Sequence, residues 1–486
     1  MKKSMFGKEY AAMSEKTNRE EFQAKLEHMI STLRNQIMNE EIKVGEYLPS
    51  EQSLAHRFDL SKNSVRKGLE TLVSEGLIVK KSRVGNLVVS NKPYDQVILR
   101  VGYYPSLLRE AKFSEIVKQF EQGHPNIKVQ TIPLPYTQYH RTVLDFFKND
   151  MIDVVSVNYN DFCEFPNPGE IFEPVEQDEN IYPFLQEPFR SPEEGKTFVR
   201  PFIFSPIVLC YNPKHFQDNR MPLPDSSWRW ADALKAAKLL TEERAGERHF
   251  GVYFHPLSLN RWPIFLLQNH VYFKRDENGG VSFDGEKLTE SVNIIRQLFI
   301  EQDILQTFLS DNDRDAEKLF VQEKVSMIVS SYFSLNEFIE TDLRYDIAPL
   351  PYLSEPQTLL LIIGFAVNKH SRKFGAAKKF IDFLGSPAVQ GYIRRNTLSI
   401  PAVKTEAEKS GDEAVYKPSR FHLFREIIPT YRLYSHLGVT YEELGEMNNE
   451  LRLYLSGMLP EEFFVQRVRS ILTRRMKSNK MRKGAN

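Results

Sequence analysis

The stretch LPSEQSLAHRFDLSKNSVRKGLETLVSEGLIVKKSRVGNLV, residues 48–88, decides the fold of the N-terminal part of the chain. Pro49-Ser50-Glu51 opens a short helix, because a serine before the first helical residue can cap the backbone N–H groups. Asp59-Leu60-Ser61 forms a tight turn, and its serine caps a second helix from Lys62 to about Ser74. Two short strands follow, Leu77–Val79 and Asn86–Val89. Helix, turn, helix and hairpin together make a winged helix-turn-helix.

Upstream of this stretch, the sequence predicts one more helix over residues 19–41. Its apolar residues recur at spacings of three and four, which places them on one face. They are Phe22, Leu26, Met29, Ile30, Leu33 and Ile37. Downstream, Gly76 stands where a glycine ends a helix in the left-handed conformation. We therefore predict one winged-helix domain over residues 19–90.

In helix-turn-helix proteins, the helix after the turn enters the major groove of DNA. Its predicted outward side chains are mostly polar or basic: Lys62, Asn63, Ser64, Arg66, Lys67 and Glu70. Arg66 can bind guanine through two N–H groups, while lysine and serine can bind phosphate. The hairpin loop adds three cations, Lys80, Lys81 and Arg83. Gly85 beside them lets the main chain approach DNA closely. A solvated helix face is the alternative, but turn, basic face and basic hairpin together favour DNA binding.

These residues, in this order, resemble the DNA-binding domain of the GntR family of bacterial regulators. The resemblance is carried by Gly45, Leu48–Glu51, Leu54-Ala55, Leu60-Ser61, Val65-Arg66, Leu69, Leu72, Glu75–Ile78 and Gly85–Val88. The chain departs from the family at Gln52 and Lys62, where arginine is usual, and lysine lacks the planar fork of arginine. The resemblance implies a dimer on a pseudo-palindromic operator. The candidate DNA-binding residues are Ser50, Glu51, Ser61, Lys62, Asn63, Ser64, Arg66, Lys67, Lys81, Arg83 and Gly85.

A short linker, residues 91–96, separates this domain from a different pattern. Apolar strands alternate with amphipathic helices, and such alternation predicts an α/β domain with a parallel sheet. The predicted strands cover residues 97–102, 127–132, 152–157, 207–211, 250–254, 325–329 and 359–367, and the helices 113–121, 136–148, 230–240, 288–300, 441–456 and 460–476. We place this domain at residues 97–476, followed by a basic and disordered tail at 477–486.

Several short stretches of this region, in order, are similar to bacterial extracellular solute-binding proteins of the sugar-uptake type. They include Phe120–Val129, Asp153–Ser156, Pro201-Phe202, Tyr211–Pro213, Ser227–Trp230, Val321–Met327, Asp346–Pro351, Gly364–Lys369 and Ile400–Val403. The resemblance implies two α/β lobes around a cleft, in which a ligand is held as the lobes close. The expected architecture is therefore multidomain: an α/β winged helix-turn-helix at the N-terminus, followed by a two-lobed α/β periplasmic-binding-protein-like domain.

Sugars present apolar faces and many hydroxyl groups, so their sites combine aromatic rings with amide, carboxylate and guanidinium groups. In open α/β sheets such side chains lie at strand ends. The ligand candidates are Tyr103, Tyr104, Tyr159, Asn160, Asp161, Ser205, Arg261, Trp262, Tyr332, Phe333 and Gly364. Packing in the core is an equal alternative for each aromatic residue, since the chain holds 34 Phe and 21 Tyr. Trp262 and Tyr332 are the preferred candidates, whereas Trp230 is expected in the core.

The net charge of zero hides an uneven distribution. Residues 1–95 hold 16 Lys and Arg against 13 Asp and Glu, residues 96–466 hold 40 against 51, and residues 467–486 hold 8 against none. We expect a modestly basic DNA-binding part and an acidic sensor. The last basic residues are expected on the solvent face of a docked helix. Two cysteines, Cys163 and Cys210, give no disulfide framework, and the histidines lack the spacing of a metal site.

A DNA-binding pattern and a solute-binding pattern on one chain lead to a hypothesis about function. The charged start lacks the apolar segment of an export signal, and no apolar run reaches the length of a bilayer. We expect a cytoplasmic, ligand-responsive transcription regulator without enzyme activity, cofactor, metal or membrane partner. As a homodimer it binds operator DNA, and a sugar or oligosaccharide changes its affinity, with repression as the default. The alternatives are the solute-binding receptor of a sugar ABC transporter, and a pyridoxal-phosphate enzyme of the aminotransferase type.

Overall fold

A computed structural model of the protein describes residues 24–82, 84–92, 96–244, 246–276, 280–300 and 312–483. The chain divides into two compact units. One comprises the residues up to Arg100 together with Glu115–Thr131, and the other comprises Val101–Ser114 together with the residues from Ile132 onward. The domain limits 19–90, 91–96 and 97–476 stay predictions beside this division.

The N-terminal elements form the expected sequence of helices and strands. They are α1 (residues 24–38), α2 (Glu51–Phe58), α3 (Lys62–Ser74), β1 (Ile78–Lys81) and β2 (Gly85–Val88). One apolar core joins them, with Leu26, Met29, Leu33, Ile37, Leu54, Val65, Leu69, Leu72, Ile78 and Val88 buried. The predicted limits of α3 are confirmed, because Ser61 caps its first turn and Gly76 ends it.

Gly76 closes α3 through backbone hydrogen bonds. Its φ of 72° is left-handed, the conformation that favours glycine. The N–H of Gly76 donates to the carbonyl of Val73 at 3.0 Å, and that of Leu77 donates to Leu72 at 3.1 Å. These bonds satisfy carbonyl groups that would otherwise lack partners at the helix end. The glycine therefore confirms the helix end predicted from the sequence.

The first strand of the hairpin extends further along the chain than predicted. Strand β1 pairs with β2 from Ile78 opposite Val88 to Lys81 opposite Gly85. Lys80 and Lys81 were expected in the loop, but they belong to the first strand. The apolar pattern ends at Val79, so it does not reveal that backbone pairing continues through two exposed lysines.

The second unit contains most of the α/β elements; β3, α5 and β4 run across the division between the units. The helices are α4 (Leu107–Glu110), α5 (Phe113–Gly123), α6 (Tyr139–Lys148), α7 (Tyr159–Cys163), α8 (Pro168–Ile171), α9 (Pro183–Gln186), α10 (Pro213–Asp218), α11 (Trp230–Leu240), α12 (Pro263–Gln268), α13 (Gly285–Ile300), α14 (Arg314–Val321), α15 (Phe374–Leu384), α16 (Pro387–Asn396), α17 (Lys404–Ala407), α18 (Leu423–Glu426), α19 (Tyr441–Leu455) and α20 (Glu461–Lys483). Short 3₁₀ helices cover Glu187–Phe189, Ser334–Phe338, Ile428–Thr430 and Tyr434–Leu437.

The strands of this region are β3 (Val97–Tyr103), β4 (Ile127–Pro133), β5 (Val154–Asn158), β6 (Phe172–Glu173), β7 (Arg200–Tyr211), β8 (Glu242–Arg244), β9 (Glu247–Tyr253), β10 (Lys274–Arg275), β11 (Val281–Ser282), β12 (Val325–Ser331), β13 (Asp346–Ala348), β14 (Thr358–Asn368), β15 (Ile400–Pro401) and β16 (Tyr431–Arg432). In the second unit, one sheet has the order β3-β5-β14-β7-β12-β9-β8.

The sheet is mixed rather than parallel, which corrects the prediction. Strand β3 is parallel to β5, and β12 is parallel to β9. However, β14 is antiparallel to both β5 and β7, and β7 is antiparallel to β12. The two long strands β7 and β14 are buried almost throughout, so their sequences are continuous apolar runs. Such runs occur in strands buried on both faces and do not encode direction.

The chain ends in two packed helices. Tyr454 of α19 stacks on Phe464 of α20 with ring centroids 4.9 Å apart. Helix α20 continues to Lys483, so the tail predicted as disordered from residue 477 is helical as far as the structure describes it. Residues 484–486 lie outside the described residues.

The described part of the chain contains neither a membrane-spanning helix nor a cluster of metal ligands. Among its helices, none combines the length and apolar composition that crossing a bilayer requires. No group of three or more His, Cys, Asp or Glu side chains in these ranges is arranged to hold a metal ion.

Candidate DNA-reading surface and ligand site

The outward face of α3 carries most of the predicted DNA-binding residues. Lys62, Asn63, Arg66 and Lys67 are exposed on this face. Ser61 caps the helix, and its Oγ accepts a hydrogen bond from the Ser64 N–H at 3.1 Å. Ser64 was expected outward, but it is buried and its hydroxyl lies 2.7 Å from that of Ser61. It lies beside Val65 on the inner side, where it supports the turn.

Arg66 is held by a carboxylate of the preceding helix. Its Nε donates to Oε2 of Glu51 at 2.7 Å, and the two side chains are 53% and 23% exposed. Glu51 is the first residue of α2, and Ser50 caps that helix by accepting from the Ser53 N–H at 3.1 Å. The ion pair orients the guanidinium while its terminal amino groups stay available for a base edge.

The hairpin presents the remaining candidates. Lys81 is exposed at the end of β1, opposite Gly85. Gly85 has a φ of 138°, which a residue with a side chain adopts only with strain. Arg83 lies outside the described residues, so its place on the hairpin stays a prediction.

In the second unit, Tyr104 and Asp161 form a hydrogen-bonded pair at the ends of β3 and β5. The Tyr104 hydroxyl donates to Oδ2 of Asp161, and Nδ2 of Asn158 donates to the same oxygen at 2.8 Å. The Tyr104 ring stacks on Tyr139 with centroids 4.4 Å apart, and on Tyr136 at 5.7 Å with nearly parallel planes. Burial raises the pKa of Asp161 to about 6, against the lowering effect of these hydrogen bonds. A partly buried carboxyl thus lies beside exposed and buried aromatic rings.

Tyr159 and Asn160 lie next to this pair and meet a segment that the sequence did not single out. Burial raises the pKa of Tyr159, whose hydroxyl also interacts with Ser435. The Tyr434 hydroxyl interacts with Asn160 and lies 2.7 Å from Oδ1 of Asn260. Tyr434 therefore connects the residues after β5 with those before α12.

Arg261 is the centre of a second polar network. It is 2% exposed, and its Nε donates to the carbonyl of Val329 at 2.9 Å. Its Nη2 lies 3.7 Å from Oδ2 of Asp313, which also accepts from Oγ of Ser258 at 3.0 Å. Trp262 is buried at the start of α12, and its indole N–H has no hydrogen-bond partner among the described residues. A buried donor without a partner is costly, so this site suits a ligand that supplies an acceptor.

Two buried carboxyl groups complete the polar surroundings. Burial raises the pKa of Glu110 in α4 and of Glu317 in α14 to about 7 in each case. Oγ of Ser330 donates to Glu317 Oε1 at 3.0 Å. His255 lies within electrostatic reach of Asp313, and burial lowers its pKa. Tyr441 interacts electrostatically with both Asp161 and Asp313. The network around Arg261 and Asp313 therefore lies near the Tyr104–Asp161 pair.

The other ligand candidates have packing roles. The hydroxyl of Tyr332 donates to the Phe421 carbonyl at 2.8 Å and accepts from the Phe424 N–H at 3.2 Å, so its hydrogen bonds are taken. The buried Ser205 donates to its neighbour Pro206 at 3.0 Å. Tyr103 and Phe333 are also buried. The burial of Tyr103, Tyr332 and Phe333 favours the alternative of core packing that holds for each aromatic candidate, and their role in ligand binding stays a prediction.

Gly364 lies in β14 and is required by the close approach of β7. A Cβ on this residue would stand 2.4 Å from the backbone oxygen of Arg200. That explains the glycine without a ligand. Trp230 is in the core as expected, with its indole N–H donating to Oε1 of Gln268 at 2.9 Å.

Sequence reasoning missed Glu110, Asp313, Glu317, Tyr434 and Tyr441. Asp313 and Glu317 are four residues apart around one helical turn, and that spacing of two carboxylates was a usable signal. Tyr434 lies in an irregular segment, for which no periodicity exists to indicate a position.

Two regions of the chain match known families. Residues 25–88 match the family described as bacterial regulatory proteins, gntR family. Residues 104–391 match the family described as bacterial extracellular solute-binding protein. Both resemblances found in the sequence are thereby confirmed.

Individual relatives cover one region each. The N-terminal region is 29% identical over 109 residues to the HTH-type transcriptional regulator GmuR of Bacillus subtilis, a match covering 22% of this chain and 46% of the relative. The later region is 21% identical over 242 residues to the maltodextrin-binding protein MdxE of Bacillus subtilis, covering 45% of this chain and 53% of the relative. The chain thus spans about half the length of each of these curated relatives.

A solved structure extends the comparison to the fold. An ABC substrate-binding protein of Listeria monocytogenes, in complex with cycloalternan, superposes with a TM-score of 0.67 at 17% identity, covering 79% of this chain and all of that one. At this identity the likeness concerns the fold alone. The chain therefore belongs to the bacterial extracellular solute-binding protein family, and it carries a helix-turn-helix domain of the gntR family ahead of that region.

Proposed function

We propose that this protein is a transcription regulator whose affinity for operator DNA changes when a sugar or oligosaccharide binds its solute-binding domain. The observation that carries the proposal is the presence, on one chain, of a basic reading helix and a family domain with a buried polar network. A transport receptor does not need a DNA-binding helix, and a repressor that responds to no ligand does not need a solute-binding domain.

Helix α3, which we call the reading helix, supplies most of the DNA contacts in this proposal. Arg66, oriented by Glu51, binds a base edge in the major groove. Lys62, Lys67 and Lys81 bind phosphates, which adds affinity without sequence preference. In a homodimer, the two winged-helix domains bind the two halves of a pseudo-palindromic operator.

The effector site takes its contacts from the two polar networks. Tyr136 is 59% exposed and offers a ring face for the apolar side of a sugar, the buried Tyr104 supports it by stacking, and Asp161 offers a hydrogen-bond acceptor. Arg261 and Trp262 add a guanidinium and an indole donor. Tyr332 is left out of this contact set, because its hydrogen bonds are taken by the backbone.

A groove of about 570 Å³ in the first unit offers a path from effector to DNA. It is lined by Glu70, Val73 and Ser74 of α3 and by Lys118, Glu121, Gln122, Pro125 and Lys128 of α5 and the following segment. In this proposal, α5 moves when the effector binds, and the movement changes the width of the groove between α5 and α3. A coupling of about 1–3 kcal/mol between the sites would change operator occupancy by about 5–150-fold.

In this proposal the protein is a cytoplasmic homodimer that represses transcription until the effector binds. No membrane partner, cofactor or enzyme activity is part of it. The receptor of a sugar ABC transporter is the competing function, since solved structures of the same fold include such proteins.

The test uses the full chain and DNA fragments from its own promoter region. A gel-shift assay should give a specific complex, and saccharides that raise the melting temperature should weaken or strengthen that complex. Binding to ligand raises stability by mass action, so the two readouts can be compared directly. Saccharide binding without any specific DNA complex would favour the transport receptor and contradict the regulator.

A further inference from the structure

Three buried carboxylate oxygens have no hydrogen-bond partner among the described residues: Glu110 Oε2, Asp313 Oδ1 and Glu317 Oε2. We call these three residues the carboxylate cluster. Glu110 and Glu317 are buried almost completely. A buried carboxyl oxygen without a hydrogen-bond partner is costly, so a ligand that donates to it would bind favourably.

The members of the cluster lie close to one another. Asp313 directly precedes α14 and Glu317 stands four residues later, which places both on one face of the helix. Both interact electrostatically with Arg261. Glu110 interacts with Arg314, the residue next to Asp313. Buried carboxylate oxygens without partners are thus concentrated around the first turns of α14.

The nearby cations are only partly engaged. Arg109 and Arg314 both pair with Glu337, the latter at 3.4 Å. Arg261 donates to the Val329 carbonyl and lies 3.7 Å from the other oxygen of Asp313. Arg109 keeps a buried Nε without a hydrogen-bond partner among the described residues. None of these cations satisfies the three carboxylate oxygens of the cluster.

One member of the cluster, Glu317, lines a cavity of about 300 Å³. Its lining comprises Arg314, Glu317, Lys318, Val321, Gln322 and Glu337. Arg314 is paired with Glu337, and Lys318 lies 3.5 Å from Asp315. Glu317 is therefore the lining residue with a buried oxygen still to be satisfied. The volume is at the lower end of ligand pockets, which suits one end of a larger molecule.

We propose that the carboxylate cluster binds a protonated amino group, so that the effector is an amino-substituted saccharide rather than a neutral one. This inference rests on the proposed function, because it names the chemical class of the same effector. An ammonium group offers three N–H donors and one positive charge. It can donate to more than one carboxylate oxygen and favours the ionised form of the carboxyl groups that it binds, whereas a hydroxyl group offers one donor and no charge.

The test compares saccharides that differ only at this group. The full chain is titrated calorimetrically at pH 7 with the β-1,4-linked glucosamine trimer and with cellotriose, which carries hydroxyl in place of amine. Glucosamine and glucose form a second pair for a site that holds one ring. The amino compound should bind about tenfold more tightly in at least one pair, as expected for a hydrogen bond between charged groups.

Variants connect that preference to the cluster. Glu317→Gln keeps the shape and should remove the preference for the amino compound, and Glu110→Gln should reduce it. Glu286→Gln makes the same charge change at an exposed position of α13 and should keep the preference. An unchanged preference in both cluster variants would overturn the assignment.

The failures of the two proposals can be told apart. Tighter or equal binding of the neutral member in both pairs, together with a change in operator binding, overturns the amino-group inference and leaves the regulator standing. If no saccharide binds while the operator complex forms, both the amino-group inference and the sugar effector are wrong.

Discussion

At the scale of single residues, Arg66 and Glu51 have unequal roles in the proposed reading of DNA. Arg66 is half exposed and can reach a base, whereas Glu51 is mostly covered and holds the guanidinium at 2.7 Å. The sequence predicted both as DNA-binding, but the ion pair separates a contacting residue from a positioning one. Its value to stability is small, because exposed ion pairs contribute little.

Arg66→Ala should remove sequence preference more than total affinity. Loss of a two-point contact to guanine should reduce the binding free energy for the operator by about 1–3 kcal/mol, and that for scrambled DNA by much less. Parallel gel shifts with operator and scrambled fragments measure this difference. Equal losses on both fragments would mean that Arg66 contacts only the phosphate backbone.

Trp262→Phe removes the indole N–H and keeps an aromatic ring. Because the proposed ligand accepts from that donor, saccharide affinity should fall by about 1 kcal/mol. Trp262 and Trp230 are both 1% exposed, so either change to Phe should also lower the melting temperature. Trp230→Phe is the matched control, because its N–H already donates to Gln268. The control should lower the melting temperature and leave saccharide affinity unchanged, as calorimetry can establish. A loss of saccharide affinity in Trp230→Phe but not in Trp262→Phe would mean that the ligand does not bind at Trp262.

Glu317 should make stability fall as the pH rises. Burial raises its pKa from 4.5 to about 7 in the folded protein, so the folded state holds a proton that the unfolded chain has lost. Its contribution is complete below pH 4.5 and is lost as the pH rises through 7. Between these values the loss is at most about 1.4 kcal/mol per pH unit.

Denaturant titrations of the ligand-free protein across this range can measure that slope. Glu317→Gln should flatten it, whereas Glu286→Gln should keep the wild-type slope. Glu110 adds to the same trend, since burial raises its pKa to about 7 as well. A Glu317→Gln variant with the wild-type slope would contradict the raised pKa.

At the scale of elements, strands β7 and β14 set the geometry of the second unit. Each pairs with two or more other strands, and they approach so closely at Gly364 that a side chain has no room. The candidate site residues follow strand ends on either side of these two strands. Correct pairing of β7 with β14 is therefore a condition for the site.

Gly364→Ala should destabilise the whole second unit. The added Cβ would meet the Arg200 carbonyl at 2.4 Å, and relief requires the strands to shift. Overpacking of this kind costs about 1–3 kcal/mol. Gly375→Ala, in a helix where the added atom meets nothing, is the control and should be neutral or stabilising. Equal melting temperatures of the two variants would show that the strands accommodate the side chain.

At the scale of the whole molecule, the distribution of charge decides how DNA is bound. Residues 1–95 carry a small basic excess, and residues 96–466 carry an acidic one. Attraction of DNA by the whole chain is therefore weak, and in the proposed homodimer operator binding would depend on a few placed cations and on two winged-helix domains acting together. This is consistent with a regulator that leaves non-specific DNA easily.

Operator binding should weaken steeply as salt increases, because each phosphate contact releases counterions. Lys67→Ala should weaken binding to operator and to scrambled DNA alike, and reduce the slope of log K against log salt by about 1. Binding measured over a salt series tests both statements. A slope that does not change would exclude Lys67 as a phosphate contact.

Much of the fold could be predicted from the sequence, and less of the site. The limits of α3 follow from a capping residue and a terminal glycine, and those of α11 follow from apolar spacing, and all of these are local properties. The direction of β7 and β14 is decided by pairing across long stretches of chain, which an apolar run does not encode. For the same reason Tyr332 was indistinguishable from a ligand contact, although its hydroxyl is taken by Phe421 and Phe424.

The sequence by itself determined the two-part organisation: a helix-turn-helix of the gntR family ahead of a solute-binding α/β region. Helix caps, turn residues and apolar periodicity act over a few neighbours, so they can be recognised without coordinates. Only the tertiary structure brought Glu110, Asp313 and Glu317 together and showed which of their oxygens lack partners. Burial and hydrogen-bond satisfaction depend on residues far apart in the chain, and they decide which polar groups remain for a ligand.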